Sequence, residues 1–196
     1  MPLNTTGKNN LISVASFTHA SALTALPATE TTPVTRQGIT WAASAAGARA
    51  NSAAVTIAIA AGQTIVAASI HDALTVGNIQ GYFQIGSPLR GGATVTALGV
   101  ATSVGHGLAT DDRVFVTALG GDALPTGFAI DTIYFVRATG LTTDAFSLAT
   151  TSGGAAVGSV AGELAWFKTV PQTFSIAGNL ILPVTTGLIL DATAFG

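Results

Sequence analysis

At 196 residues, 48% hydrophobic and only 8% charged, the chain has the charge poverty of a membrane protein. Yet no run approaches the roughly 18 apolar residues that a spanning helix needs. A formal charge of −2 without basic clusters excludes an electrostatic nucleic-acid binder, and the lack of cysteine excludes disulfide and thiolate chemistry. The hydropathy comes from Ala, Val and Ile interleaved with Thr, Ser and Gly, the texture of a β-rich surface that another protein covers.

In chain order, Met1 to Lys8 shows no basic region ahead of a long apolar stretch, so no signal peptide is expected. Asn4 or Thr5 is placed to cap a helix from Lys8 to about Phe17, in which Leu11, Ile12, Ala15 and Ser16 recur at helical spacing. From Val34 the pattern turns β, with a bent strand over 34–41 broken at Gly38. Further strands are expected over 53–59, closed by a turn at 61–63, and over 64–70 and 80–85. Near the end, strand 173–176, a turn at 177–179 and strand 180–182 precede a last strand over 187–190.

The middle differs in texture. Residues 94–168 hold five of the seven aspartates, and strands are expected over 94–104, 113–117, 133–138 and 145–149. This reads as an inserted β module, with residues 1–93 and 169–196 forming an outer domain and 89–92 and 168–171 as joints. Most acids lie in the module, which is therefore the part expected to face water.

Chemistry is sparse. A hydrolase needs a nucleophile with its base, or two carboxylates in contrasting environments, and no such pair stands out. His71-Asp72 is the one adjacent His–Asp pair; a turn or strand-end pair is the simpler reading, because a metal needs further ligands. His106 reads as a turn-bonded histidine, and His19 beside Ser21 lacks a third triad member. Asp111, Asp112, Asp122 and Asp131 do not have the spacing of a calcium loop. Trp41, Trp166, Tyr82 and Tyr134 are candidate glycan platforms, but each sits in a strand pattern and reads first as core. No catalytic, cofactor-binding or metal-ligating residue is assigned, and the chain is not expected to be an enzyme.

Two stretches carry a resemblance. The blocks Phe17–Leu23, Val34–Ala43, Ala50–Thr56 and Ile57–Ile70, with Phe174–Leu190, resemble small bacteriophage virion proteins of the head-fibre, tail-fibre or decoration type. Residues 101–157 are similar to a module of phage structural proteins with a His-Gly-Leu, Gly-Asp-x-Val, Leu-Pro-x-Gly, Tyr-Tyr-Val, Asp-x-Phe-x-Leu series. Here it runs His106-Gly107-Leu108, Asp111-Asp112-Arg113-Val114, Leu124-Pro125-Thr126-Gly127, Ile133-Tyr134-Phe135-Val136 and Asp144-Ala145-Phe146-Ser147-Leu148. Asp111 replaces the glycine of the series, and a single Tyr134 stands where two tyrosines are frequent.

The resemblance implies an all-β fold, an antiparallel, jelly-roll-like β-sandwich with an inserted small β domain, located in a virion assembled in the host cytoplasm. The expected function is an oligomeric capsid decoration or minor capsid protein, with a tail-fibre or minor tail adhesin for host-surface glycan as the alternative. The expected partners are major capsid or tail proteins and further copies of the chain, a homotrimer being favoured, with neither nucleic acid nor membrane insertion. So few charges leave little to keep a lone subunit soluble. The apolar ends are the expected docking elements, through Leu11, Ile12, Phe17, Leu23, Leu188, Leu190 and Phe195.

Overall fold

The computed structural model describes residues 17–26, 29–31, 35–46, 48–119, 123–158, 160–184 and 188–191. Among them every regular element is a strand, and every strand pair is antiparallel. The helix expected over 8–17 lies, except for Phe17, outside the described residues. The chain divides into two compact units, 1–85 with 171–196, and 86–170.

The first unit opens with β1 (His19–Ala25), β2 (Thr29–Glu30), β3 (Gln37–Gly38) and β4 (Ala48–Ala50). It continues with β5 (Val55–Ile59), β6 (Gln63–Ile65), β7 (Ala67–His71) and β8 (Ile79–Phe83). The second unit holds β9 (Arg90–Val95), β10 (Val100–Thr102), β11 (Arg113–Ala118), β12 (Tyr134–Val136), β13 (Ala145–Ala149) and β14 (Gly162–Thr169). Strands β15 (Gln172–Phe174), β16 (Gly178–Leu182) and β17 (Ile189–Asp191) return to the first unit.

In the first unit β1 lies between β7 and the two short strands β2 and β3, and β8 flanks β7. Three two-stranded ribbons, β5–β16, β6–β15 and β4–β17, complete it. The β5–β16 ribbon alternates strictly: Val55, Ile57 and Ile59 point inward with Leu180 and Leu182, while Thr56, Ala58, Asn179 and Ile181 face out. Ala20, Ala22, Ala68 and Ile70 of β1 and β7 join the same aliphatic core, so sheet and ribbon cover it in sandwich fashion.

Several boundaries differ from the sequence reading, each for a tertiary reason. The run 64–70 is two strands, because the Val66 amide donates to the Leu23 carbonyl (2.8 Å) and β7 passes to another sheet than β6. Gly38 lies within β3 instead of breaking a strand, and Gly178 and Asn179, read as a turn, pair with Ile59 and Ala58.

The second unit is a closed barrel of order β10-β13-β12-β11-β14-β9. Its interior is filled by Val95, Val114, Tyr134, Phe146, Leu164 and Trp166. Strand β9 starts at Arg90, so residues 90–92 are barrel wall and not a joint. Gly91 sits opposite Trp166, and a Cβ there would stand 3.0 Å from the indole ring. Asp111 has φ +65°, a conformation glycine adopts freely and aspartate tolerates better than most residues.

Candidate functional site

A cluster of polar side chains away from solvent lies on the other face of the β1–β7 pair. Register places His19 opposite His71, Ser21 opposite Ser69 and Leu23 opposite Ala67, so these six share the face turned away from the aliphatic core. Ser21, Ser69 and His71 are each 0% exposed. Strand β2 brings Glu30 over this face, and Arg36, just before β3, clamps it with Nε and Nη2 donating to the two carboxylate oxygens at 2.9 and 2.8 Å. The third arm of the guanidinium, Nη1, donates to the Ala73 carbonyl at 3.1 Å.

Ser69 Oγ and His71 Nε2 share a hydrogen bond of 2.9 Å, and Glu30 Oε1 stands 3.7 Å from the same nitrogen. A serine, a histidine and a carboxylate thus meet, but not as a triad. A triad uses opposite ring nitrogens for nucleophile and carboxylate. Here both partners address Nε2, and the hydroxyl is sealed from any substrate. Burial pushes the His71 ring below the ordinary histidine range, and the Arg36 charge adds to the effect. The hydrogen bonds from Arg36 hold Glu30 below the usual carboxylate range against the opposing effect of burial. The cluster therefore carries a neutral imidazole beside a fixed ion pair at neutral pH.

Above it lies a cleft of about 520 Å³ lined by Glu30, Thr35, Arg36, Gln37, Leu74 and Val76. The β7–β8 loop forms one wall. The Asp72 carboxylate accepts from the Asn78 amide (2.7 Å), Asn78 Nδ2 (3.2 Å) and Gln80 Nε2 (3.1 Å), so His71-Asp72 is a strand end whose aspartate ties the loop. At the loop tip Val76 is fully exposed with φ +52°, a backbone outlier for a β-branched residue.

Other sequence candidates fall elsewhere. Leu23 and Leu188 are 0% exposed inside this chain's own cores, so their side chains offer no surface to a partner; Phe17 packs against the aliphatic core. Leu190 pairs with Arg49 through β17, and Leu11, Ile12 and Phe195 lie outside the described residues. Of the aromatic candidates, Trp166 and Tyr134 are barrel core. Trp41 lies under the Arg49 guanidinium, 5.1 Å from the ring centre, and Tyr82 packs against the Leu23 cluster.

In the barrel, His106 Nδ1 accepts from the Leu108 amide (2.9 Å), and its ring meets Phe146 edge-on at 5.0 Å. Asp112 accepts from Lys168 Nζ and the Ala109 amide, both at 2.7 Å, and Asp111 accepts from Ser152 Oγ at 2.6 Å. Among the described residues no three His, Asp or Glu side chains gather as a metal site requires. No helix of the described residues is long and apolar enough to cross a membrane.

The chain matches no protein-family model, no curated protein and no solved structure. The sequence reading singled out His71 but missed Ser69, Glu30 and Arg36. Ser69 was within reach, since i and i+2 share one face of a strand. Glu30 and Arg36 reach the site through pairings that no local pattern reveals.

Proposed function

We propose that the chain is an oligomeric structural subunit of a tailed-bacteriophage virion, bound to the capsid shell as a decoration or minor capsid protein. The observation that carries this reading is apolar exposure on a chain with few charges. Val76, Leu98, Val104 and Ile176 are 78–102% exposed, on a molecule only 8% charged. Single apolar residues are ordinary on a protein surface, but with so few charges beside them they favour contact with neighbours, and closed rings of identical subunits are the usual way to bury them. The ordered blocks from His106 to Leu148, with their resemblance to phage structural modules, support the same assignment. A homotrimer is the assembly this reading favours.

Quantitative mass spectrometry of purified particles, together with a cryo-EM map of them, tests it. The reading expects on the order of hundreds of copies on the shell, as a symmetric lattice of decoration requires. A handful at the tail would replace it with the fibre-adhesin reading, and absence from the particle would overturn both.

A further inference from the structure

We propose that His71 is an acid-operated latch on the 72–78 loop: a proton on its ring draws Glu30 from Arg36, and Arg36 in turn lets go of the Ala73 carbonyl.

The contacts form one unbroken series. His71 Nε2 lies 3.7 Å from Glu30 Oε1, Glu30 holds Arg36 through two hydrogen bonds, and Arg36 Nη1 holds Ala73 O at 3.1 Å. The ring is wholly buried, its Nδ1 makes no close hydrogen bond, and the nearby Gly77 backbone of the loop favours its charged form. A charge placed there is favoured by Glu30 first and by Asp72 second, and the Glu30 carboxylate need move by less than 1 Å to make a close ion pair. The same charge repels the Arg36 guanidinium.

Other ionisable groups around the ring do not compete for this role. Asp72 follows His71 in the chain, but its carboxylate is engaged by Asn78 and Gln80. From β1 the neighbour is His19, whose Nδ1 pairs with Thr18 Oγ1 at 2.8 Å, and from β8 it is Tyr82, opposite Ser69.

The loop is built to respond. Its ends are pinned by Arg36 at Ala73 and by Asp72 at Asn78, and between them Val76 holds its left-handed backbone in solvent. Strain of this kind persists only while the surroundings over-determine it. Releasing Ala73 removes one pin, and Leu74 and Val76, the apolar wall of the cleft, are then presented differently in acid than at neutral pH.

Hydrogen exchange on the full chain tests the latch at about pH 7.5 and at a second pH below the His71 midpoint, which lies under the ordinary 6.5 and is read from an NMR titration of the ring, with rates corrected for intrinsic chemistry. Protection of the Asp72 and Asn78 amides, which donate to the Asn78 carbonyl and the Asp72 carboxylate, is expected to fall about tenfold or more in acid relative to barrel amides, as a local opening would make it. His71→Gln should abolish that pH response, and Arg36→Gln should leave the loop open at both values. If His71→Gln fails to fold, an NMR titration of the native chain decides: ring and loop signals must share one midpoint. A loop that opens in acid with glutamine at 71, a loop midpoint apart from that of the ring, or no opening at all overturns the proposal.

Discussion

The two units solve the same problem, a β fold with few charges, in opposite ways. The barrel is one continuous stretch whose six strands close on themselves, leaving no sheet edge within the ring and a core of interlocking aromatics. The other unit is assembled from both ends of the chain, spreads its strands over one larger sheet and three ribbons, and packs an aliphatic core. On its outer sheet face it keeps a histidine out of water beneath a partly buried ion pair. In the barrel, closure and aromatic packing are joined by the Lys168–Asp112 ion pair at the wall. The open sheet of the first unit relies on polar contacts to fix its short strands, which makes that unit the responsive one.

The largest expected effect is in the barrel core. Trp166→Ala should cost about 3–5 kcal/mol, the range for emptying a large aromatic site. Hydrogen exchange of β11 and β14 would register the loss. Trp41, then the only remaining tryptophan, should keep its unfolding midpoint if the units are as distinct energetically as they are in their cores. A matching drop in both would break the contrast. Gly91→Val attacks the same contact from the wall: its Cβ would press on the indole at 3.0 Å, and overpacking of that kind costs up to about 3 kcal/mol.

This contrast also explains what could be read from the sequence. Alternation in 55–59 and the turn-bounded runs at 113–117 and 145–149 fall on β5, β11 and β13, because each strand hides one face or both and its pattern says so. Strand β14 was invisible. Ala165 and Phe167 on its outer side blur the alternation of Leu164 and Trp166, although β14 is the strand that joins β9 to β11. The first unit's site was nearly illegible for another reason. His71 and Asp72 advertise themselves as a pair, but the contact that builds the buried cluster is with Glu30, 41 residues earlier, and is set by strand order.

In the first unit, Glu30→Gln should cost about 2 kcal/mol, the scale for a charge-assisted hydrogen bond lost at a site largely closed to water, and leave the barrel unchanged. The pH dependence follows from the same groups. Because folded His71 lies below its ordinary 6.5, the unfolded chain takes up the proton first, and stability is lost as pH falls from about 6.5 until the folded ring titrates. Folded Glu30 lies below its ordinary 4.5, so its contribution is complete above about 4.5 and disappears as pH falls through the folded value. Urea midpoints read by Trp41 in a Trp166→Phe background should therefore decline in two stages. His71→Gln should remove the first stage and keep the second; loss of both together would mean that a single group controls the acid response.

The smallest effect tests whether the first unit stores strain at its surface. Val76 makes no use of its side chain in the core, being fully exposed, yet holds φ +52°. Relieving a β-branched residue of this conformation gains about 1–3 kcal/mol. Glycine gives back about 0.5–1 kcal/mol of unfolded-chain entropy. Val76→Gly should therefore stabilise the unit by about 1 kcal/mol, raising its midpoint without touching the barrel. The neighbouring position gives the control. A Cβ at Gly77 would press on the Asp72 carboxylate and stand 2.8 Å from the Ala73 nitrogen, so Gly77→Ala should destabilise the same loop. A rise at 76 with a fall at 77 locates the strain in the Val76 backbone; a fall at both would show that the valine is accommodated without cost.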